Sequence, residues 1–337
     1  MTTFNIGLAH TMKIIITGTT GSLGAALTRY YSELGHEVIA CGRDTYAPDS
    51  LLVYASYLSK DITRPFELPD ADVCIHTAAL SDDKADYPSL YNANVNGTKH
   101  TVLAAERCKT FIHISSSSVY LPEAEPINEN MAGRQNNNKL SPYGRSKLEA
   151  EKVLISTTKH AACFILRPRA FYGAGDRVIL PRLLKLVQKD TFRRPGKMEV
   201  AVSLTHYLNI AKAIDCCIAS SKQGVHIYNV ADDRSYVLVE IVRKIIREVY
   251  GRDLKEKEIS ILFLKLLAVF KIGGITPLLV RSFTKNMVLD LTKIKTELGY
   301  QAVIDFDAQL KDLGDWVRRI GGVEILKTGD RKLAWIK

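Results

Sequence analysis

A glycine-rich stretch near the start of the chain constrains the fold more than any other feature of the sequence. Residues 17–24 read TGTTGSLG and directly follow the apolar run KIII. Three glycines leave the backbone bare where a predicted strand turns into a predicted helix, and bare N–H groups at a helix start suit a pyrophosphate. The pattern therefore predicts a dinucleotide-binding βαβ unit. Its cofactor contacts are expected from Gly18, Thr20, Gly21, Ser22, Leu23 and Gly24.

The first half of the sequence alternates short apolar runs with helical patterns. Such alternation predicts right-handed βαβ units and an α/β fold of the Rossmann type, a doubly wound parallel sheet with helices on both faces. Ligands of such sheets bind at the carboxyl ends of the strands. We predict strands at 13–17, 37–41, 54–58, 72–76, 111–115 and 162–167, and helices at 22–34, 88–107 and 142–158.

Beyond residue 170 the pattern becomes mostly helical. We predict helices at 178–189, 208–221, 234–250, 259–271 and 306–319, and a short strand at 226–230. The sequence thus predicts a disordered lead at 1–12, a dinucleotide-binding domain at 13–170 and a smaller substrate-binding lobe at 171–330. We expect the chain to cross back from this lobe to the first domain.

Composition and charge narrow the class of protein. With 337 residues, 46% hydrophobic and 24% charged, the chain is typical of a soluble globular protein. Six cysteines without metal-type spacing predict buried thiols, no metal site and a reducing, cytoplasmic compartment. The net charge of +10 is compatible with an anionic ligand or membrane surface, but an ordinary solvated basic surface is the favoured interpretation. Because the basic residues are scattered and no nucleic-acid-binding motif is found, nucleic acid is not an expected partner.

The run from 259 to 281, ISILFLKLLAVFKIGGITPLLVR, is the most apolar part of the sequence. Two lysines interrupt it, and Gly273, Gly274 and Pro277 break it, so it cannot cross a bilayer as one helix. Three interpretations stay open for this run: a core helix of the second lobe, a lid over an apolar substrate, or a patch that rests on a membrane as a peripheral contact.

The end of the second strand distinguishes NADP from NAD. A carboxylate at this place would accept hydrogen bonds from the adenosine ribose of NAD, but the sequence has Gly42 followed by Arg43. Arg43 can pair with the 2′-phosphate of NADP, whereas Asp44 keeps NAD open as the alternative. NADP is therefore the expected cofactor. Further contacts with its adenine and nicotinamide ends are expected from Asp61, Ile62, Ala78 and Ala79.

Tyr143 and Lys147 form a Y-x-x-x-K pattern in a predicted helix, where a spacing of four places both side chains on one face. A phenol with a pKa of about 10 is a poor base at neutral pH. A lysine ammonium beside it favours the phenolate and lowers that pKa. Ser116 follows the predicted strand 111–115 and offers a hydroxyl that can hold the reacting oxygen beside the tyrosine. Together the three residues indicate one catalytic site.

With these motifs the chain resembles the extended short-chain dehydrogenase/reductases, the NAD(P)-dependent epimerase/dehydratase family, from about Lys13 to Arg318. The segments that carry the resemblance are TGTTGSLG, HTAAL (76–80), NVNGT (94–98), SSSSVY (115–120), SPYGRSK (141–147), LRPRAFYGAGD (166–176) and YNVADD (228–233). The resemblance implies hydride transfer between a nicotinamide and an alcohol or carbonyl carbon, and a homodimer. It implies catalytic roles for Ser116, Tyr143 and Lys147, with Tyr143, Lys147 and Pro168 also at the cofactor.

Departures from the family pattern narrow the expected reaction. Dehydratases of the family carry an acidic pair where this chain has Ser117 and Ser118, so dehydration is not expected. Nucleotide-sugar epimerases carry an arginine for the diphosphate where this chain has Val202, and an apolar residue cannot neutralise that anion. Basic residues that can replace this arginine are Arg169, Arg177 and Arg281. The candidate substrate residues are Ser117, Arg169 and Arg177.

The segments 202–209 and 276–300 resemble the 3β-hydroxysteroid dehydrogenase and 3-oxoacyl reductase branch, which acts on lipophilic alcohols and ketones. We therefore expect an NADP-preferring oxidoreductase of a lipophilic or small secondary alcohol or ketone. A nucleotide-sugar epimerase or 4-keto reductase is the alternative. A non-catalytic NADP-binding regulator is a third hypothesis, but a regulator does not need an intact set of catalytic residues.

Overall fold

The computed structural model describes residues 10–82, 85–134, 137–270 and 275–335, so most of the predicted lead at 1–12 lies outside the described residues. The strands are β1 (Lys13–Thr17), β2 (Glu37–Gly42), β3 (Ser56–Ser59), β4 (Val73–His76), β5 (Thr110–Ile114), β6 (Ala162–Pro168), β7 (Phe171–Tyr172), β8 (Val187–Gln188), β9 (Thr191–Pro195), β10 (Ala201–Val202), β11 (Thr205–His206), β12 (Gly224–Val230), β13 (Tyr236–Val237) and β14 (Lys255–Ile259). The α-helices are α1 (Ser22–Glu33), α2 (Asp49–Leu52), α3 (Tyr87–Tyr91), α4 (Gly97–Ala104), α5 (Pro142–Thr157), α6 (Ile179–Leu184), α7 (Tyr207–Ala219), α8 (Leu238–Tyr250), α9 (Ile261–Val269), α10 (Pro277–Ser282), α11 (Thr292–Leu298), α12 (Phe306–Arg319) and α13 (Val323–Thr328).

Seven strands form one parallel sheet in the order β12-β6-β5-β4-β1-β2-β3. The apolar run of β1 forms an interior strand, and Ile14, Ile15 and Ile16 are fully buried between helices on both faces. The strand order changes direction between β1 and β4, which opens a crevice at their carboxyl ends. The predicted doubly wound α/β fold is therefore confirmed.

The seventh strand comes from beyond residue 170. β12 pairs with β6 from Gly224↔Ala162 to Val230↔Pro168, and it is longer than the predicted 226–230. Helix α7 and residues 287–300 contribute to the same apolar core as β1 and α1. The chain therefore returns to the sheet after leaving it, and the division into two domains at residue 170 remains a proposal.

The segment after α6 corrects the sequence analysis. The predicted helix 178–189 ends at Leu184, and the chain continues as the antiparallel hairpin of β8 and β9. Lys189 and Asp190 connect these strands with φ values of 46° and 58°, as a two-residue hairpin turn requires. A Lys-Asp pair lacks the usual turn signal of Asn-Gly or Asp-Gly, so the sequence pattern did not reveal this hairpin.

The predicted helix 88–107 is also divided. α3 ends at Tyr91, a π-helical turn spans Asn92–Asn96, and α4 follows from Gly97. Such turns often occur at functional sites because they re-aim side chains within a helix. Here the turn contains the NVN part of the family-like segment, and the buried Asn94 lies within it.

Most of the apolar run 259–281 stays outside the core. α9 buries only Ala268, whereas Leu262, Phe263 and Leu266 are exposed. The interpretation of this helix as a core helix is therefore wrong. Residues 271–274 of the run lie outside the described residues. In the described parts of the chain, every helix is too short or too polar to span a bilayer.

Candidate active site

The glycine loop makes the tight turn that the sequence predicts. Gly18 has φ of 76°, and a Cβ there would lie 2.7 Å from the Ala78 backbone. A Cβ on Gly24 would overlap the Gly18 carbonyl oxygen, so helix α1 packs directly on the turn. Gly21 precedes the helix, and no side chain caps the helix start at Ser22. A cradle of bare backbone at an uncapped helix N-terminus fits a dinucleotide pyrophosphate.

The end of β2 lacks room for an acidic side chain. A Cβ on Gly42 would lie 2.7 Å from the Tyr57 hydroxyl and 3.3 Å from Cγ2 of Thr20. Tyr57 and Thr20 therefore fill the place from which a carboxylate would reach the adenosine ribose. Arg43 follows with an exposed side chain, and the Tyr57 hydroxyl donates a hydrogen bond to the Asp44 carbonyl at 2.8 Å. At this edge Arg43 is an exposed cation, and no acidic side chain stands at the Gly42 position itself.

Asp61 and Ile62 lie on the loop after β3, at the same edge. The backbone N–H and hydroxyl of Thr63 donate to Asp61 Oδ1 at 3.0 and 2.8 Å, and these bonds lower the pKa of the carboxyl. The Ile62 side chain packs against Gly97, because a Cβ on Gly97 would lie 2.7 Å from Cδ1 of Ile62. The backbone carbonyl of Ile62 accepts a hydrogen bond from His100 Nδ1 at 2.9 Å. The loop is thus held on α4, beside the crevice.

Ala78 and Ala79 leave β4 directly beside the glycine loop. The Thr77 hydroxyl donates to the Thr17 carbonyl at 2.6 Å, and the Ala78 N–H donates to the Thr17 hydroxyl at 3.4 Å. These bonds tie the end of β4 to the end of β1, where the strand order reverses. The predicted cofactor contacts at Gly18 and Ala78 therefore lie against each other.

Ser116 caps a short turn at the end of β5. Its hydroxyl accepts from the Ser118 N–H at 3.1 Å and donates to the Ser118 hydroxyl at 3.1 Å. Ser117 is buried within this 3₁₀ turn, and its role as a substrate residue stays a prediction. The Ser116 hydroxyl is only partly buried and lies at the carboxyl edge of the sheet.

Helix α5 lies directly on this serine turn. Ser141 caps the helix by accepting from the Gly144 N–H at 2.9 Å. A Cβ on Gly144 would overlap the Ser118 carbonyl oxygen, so only glycine allows the helix to approach so closely. Because Tyr143 precedes that glycine in the first turn of α5, the tyrosine and the Ser116 segment lie on neighbouring elements in close contact.

Lys147 is buried one helical turn after Tyr143. Its Nζ donates to the Ile114 carbonyl at 2.7 Å and to His113 Nε2 at 3.4 Å. Burial lowers the pKa of Lys147 to about 8, so its ammonium is still mostly charged at neutral pH. His113 stacks on His76 with ring centroids 5.3 Å apart, and burial together with the Lys147 charge lowers both histidine pKa values. The neutral His113 ring thus contacts the Lys147 ammonium, whereas the His76 ring is hydrogen-bonded to two threonine hydroxyls.

Asn94 is a site residue that sequence reasoning did not single out. Its side-chain oxygen accepts from the Leu80 N–H at 2.7 Å, and its amide group donates to the Ser146 hydroxyl at 2.8 Å. These bonds connect the π-helical turn, the loop after β4 and helix α5. Asn94 thereby holds the helix that carries Tyr143 against the crevice. Only its place in the NVNGT segment hinted at this role.

A buried ion pair between Arg167 and Glu151 lies beside the end of β5 and stabilises its position. Arg167 donates twice to Glu151, at 2.9 and 2.6 Å, and both side chains are almost inaccessible. The Ser115 hydroxyl donates to Glu151 at 2.5 Å, and Arg167 also donates to the Tyr120 hydroxyl at 2.7 Å. The Tyr120 hydroxyl in turn donates to Asn229 of β12 at 2.8 Å. This network joins β5, α5, β6 and β12, and the sequence pattern did not reveal it.

Arg169 emerges at the carboxyl end of β6, after the buried Pro168. Its backbone is fixed, because the N–H donates to the Thr205 hydroxyl at 3.0 Å and the same hydroxyl donates to the Arg169 carbonyl at 2.7 Å. The guanidinium Nε is shielded from solvent without a hydrogen-bond partner, and no carboxylate of the described residues pairs with Arg169. Burial lowers the pKa of Arg169 to about 10. An unpaired buried cation is costly, so this group suits an anionic ligand.

His206 of β11 provides a second buried hydrogen-bond donor, in addition to Nε of Arg169. The preceding residue of the same strand, Thr205, is the one that bonds to the Arg169 backbone. Burial lowers the pKa of His206 to about 3, so its ring is neutral at physiological pH. Nδ1 accepts from the Leu208 N–H at 3.3 Å, which assigns the ring proton to Nε2. Nε2 is buried without a partner among the described residues. Two neighbouring segments therefore each hold a donor that lacks an acceptor.

Arg177 lies at the glycine loop. Its Nε donates to the Ser22 hydroxyl at 3.2 Å, and a terminal nitrogen donates to the Gly329 carbonyl at 3.4 Å. The C-terminal segment crosses the same loop, where the Trp335 indole donates to the Thr19 carbonyl at 3.1 Å. The structure therefore places Arg177 at the start of α1, beside the glycine loop, and its role as a substrate residue stays a prediction.

The sequence matches a known family of nicotinamide-dependent enzymes and is similar to two reductase or dehydrogenase sequences. The family model described as NAD dependent epimerase/dehydratase matches residues 14–231. The chain is 30% identical to a 2-alkyl-3-oxoalkanoate reductase from Stenotrophomonas maltophilia, over 60% of this chain and 64% of that protein. It is 26% identical to a decarboxylating sterol-4-alpha-carboxylate 3-dehydrogenase from Gibberella zeae, over 78% of this chain and 97% of that protein.

The fold itself matches a solved structure. UDP-glucuronic acid 4-epimerase from Bacillus cereus, in complex with NAD, superposes with a TM-score of 0.73 at 19% identity. The match covers 92% of this chain and 99% of the epimerase. At this identity the likeness concerns the fold, and the reaction has to be argued from the residues of the site.

Proposed function

Because the chain belongs to the NAD-dependent epimerase/dehydratase family, we propose that it interconverts the 3-oxo and 3-hydroxy forms of a lipophilic carboxylic acid and prefers NADP. That it is an NAD(P)-dependent enzyme of the extended short-chain dehydrogenase/reductase type follows from the family and its relatives. The substrate, the preference for NADP and the roles of single residues are the proposal.

The observation that carries the proposal is the Nε of Arg169, which is shielded from solvent without a hydrogen-bond partner among the described residues. It lies at the carboxyl end of β6, the strand beside β5, whose end carries Ser116. A substrate carboxylate would give this buried cation the anion that the described residues do not supply, in a charge-assisted hydrogen bond. A neutral sterol would leave the cation unpaired, so Arg169 favours an acid over a neutral alcohol or ketone.

The surroundings of Val202 disfavour a nucleotide diphosphate at the place where epimerases bind one. Val202 is buried in an apolar cluster, pairs with Tyr236 across β10 and β13, and is bridged to Met287. Asn209, in the same segment, is occupied by hydrogen bonds to Asp232 at 2.6 Å and to the Ile304 carbonyl at 2.8 Å. Burying a diphosphate among these apolar side chains would be costly.

The names of two relatives support the same substrate class. The reductase and the sterol dehydrogenase described above are both named for a carboxylate substrate and a reaction at carbon 3. In such a substrate the carboxylate carbon is two bonds from the reacting carbon, so the anion and the carbonyl group lie close together. Arg169 and Ser116, at the ends of neighbouring strands, suit these two groups.

The proposed chemistry uses three residues. Tyr143 donates its phenolic proton to the carbonyl oxygen during reduction and takes it back during oxidation. The Ser116 hydroxyl donates a hydrogen bond to the same oxygen, and the Lys147 ammonium lowers the pKa of the phenol. When bound, the nicotinamide coenzyme supplies or accepts the hydride.

A matched pair of substrates tests the role of Arg169. We expect wild-type enzyme to reduce 3-oxodecanoate with a KM about tenfold or more below that of its methyl ester, because each factor of ten corresponds to about 1.4 kcal/mol of anion binding. In Arg169→Met this preference should disappear through KM, with little change in kcat for the ester. Arg319→Met, at an exposed position, is the matched control.

The outcomes of this assay separate the parts of the proposal. Turnover of the ester without any preference for the acid would refute the role of Arg169 but keep the oxidoreductase. Turnover of neither compound would refute the proposed substrate class. A nucleotide-sugar enzyme is the second candidate, since a buried guanidinium can also bind a diphosphate. Micromolar calorimetric binding of UDP or dTDP to the NADP-loaded protein would make that candidate the better one.

The preference for NADP rests on Arg43 and on the missing carboxylate at Gly42. We expect NADPH to bind more tightly than NADH, and Arg43→Gln to weaken NADPH binding by about tenfold or more through loss of a charge-assisted contact. Binding of NADH should not change in the variant. Fluorescence titration of both coenzymes measures this, and tighter binding of NADH by the parent would overturn the preference.

A further inference from the structure

We propose that helices α9 and α10 form a docking surface for an anionic lipid bilayer. On α9, Leu262 is 77% exposed, Phe263 53%, Leu266 55%, Val269 72% and Phe270, directly after the helix, 66%. We call these five side chains the apolar surface. Single exposed leucines are ordinary, but five large apolar side chains on one short element are not.

The apolar surface belongs to a helix with little attachment to the core. Leu262, Leu266 and Val269 follow the spacing of one helix face, with Phe263 and Phe270 beside them. α9 is held mainly through Ala268 and through packing on α10, where Leu278 and Leu279 are also partly exposed. A helix that is apolar on nearly all sides and exposed on most of them requires an apolar partner.

The charged residues near the apolar surface indicate which kind of partner it binds. The sequence has no aspartate or glutamate from 259 to 289, but it has two lysines within the apolar run and two further basic residues, Arg281 and Lys285. Lys265 of α9 is exposed beside the apolar surface. An apolar surface on a segment whose charged residues are all basic matches the acyl region and the phosphate groups of an anionic bilayer.

Strand β14, which directly precedes α9 in the chain, carries further basic residues. Lys255 and Lys257 are exposed on one face of the strand. The acidic residues of β14 face the other way, where Glu256 pairs with Arg194 and Arg243, and Glu258 pairs with Arg194. Both acidic residues of β14 are therefore paired with arginines, and Lys255 and Lys257 are the exposed basic residues of this strand.

A second copy of the chain is a poorer occupant of the surface. In a symmetric dimer the same patch lies on both sides of the interface, which would bring the basic residues of one copy against those of the other. A lipid surface meets no such repulsion and satisfies both the apolar and the charged groups. A lipophilic substrate would reach the enzyme from that same surface, although the docking does not depend on the proposed reaction.

Vesicle co-sedimentation of the full chain tests the proposal. We expect binding to vesicles of equal parts phosphatidylcholine and phosphatidylglycerol, at least about tenfold above binding to phosphatidylcholine alone, and reduced by salt. Leu262→Gln/Leu266→Gln/Val269→Thr should abolish it, and Lys255→Glu/Lys257→Glu should weaken it. The matched control is Leu52→Gln/Val53→Thr on and after α2, where the two side chains are 53% and 79% exposed.

Circular dichroism and coenzyme binding establish that each variant is folded. Equal binding to both kinds of vesicle, or loss of binding in the control, would refute the proposal. If wild type ignores both vesicles and the triple variant changes the oligomeric state in solution, a second copy is the occupant instead. None of these readouts uses turnover, so they are independent of the proposed substrate.

Discussion

Replacement of Tyr143 by phenylalanine is expected to lower kcat for 3-oxodecanoate by about 10²–10⁴-fold, the range for loss of a general acid. The ring and its packing in α5 would remain, but the proton that the carbonyl oxygen needs would be missing. Binding of NADPH should change little, because the substitution removes only the hydroxyl. Steady-state kinetics with a parallel fluorescence titration of the coenzyme would measure both quantities.

The control for this variant is Tyr91→Phe, which removes a hydroxyl from a tyrosine that is 40% exposed at the end of α3. Its kcat should equal that of the parent. Ser116→Ala should lower kcat less than Tyr143→Phe does, since the serine only positions the oxygen. If Tyr143→Phe kept the parent rate, the proposed mechanism would be wrong, and a function other than catalysis would need to be considered.

The second large effect is expected on stability. Arg167→Met should lower the free energy of unfolding by about 3–5 kcal/mol, the cost of leaving a buried charge without its partner. Glu151 would keep the hydrogen bond from Ser115 but lose both bonds from the guanidinium. Urea unfolding, followed by tryptophan fluorescence, would measure the change.

Two further variants show whether the buried charge causes this loss. Arg318→Met removes an exposed arginine that pairs with Asp315 at 2.6 Å, and the midpoint of unfolding should hardly move. The double variant Glu151→Gln/Arg167→Met removes both charges and should be more stable than Arg167→Met alone. If the double variant were the less stable one, packing rather than charge would dominate at this site.

Much of the fold and the site could be predicted from short stretches of sequence. The glycine loop follows β1 and opens α1, as its spacing indicates, because the conformational freedom of glycine is a local property. The doubly wound sheet and the family were predicted correctly, since alternating strands and helices allow few topologies. The places of Tyr143 and Lys147 on one face of α5 follow from helical periodicity alone.

Other features depend on residues far apart in the chain. The Glu151–Arg167 pair has nothing unusual in its local sequence. Its partners Ser115 and Tyr120 lie after β5, and Tyr120 in turn donates to Asn229 of β12. The sequence position of β12 predicts that it belongs to the second lobe, whereas in the structure it pairs with β6 of the central sheet. Burial of Ser117 likewise depends on α5 lying over its turn, which no local pattern reports.

Arg169 and α9 show which properties the sequence determines and which only the tertiary structure determines. The sequence by itself determined that an arginine follows Pro168 and that 259–281 is apolar, because residue type and local periodicity need no partner. Only the tertiary structure decided that Nε of Arg169 is shielded from solvent without a partner among the described residues, and that α9 remains exposed. Burial and pairing are properties of contacts between distant segments, and their free energies exist only once the chain has folded.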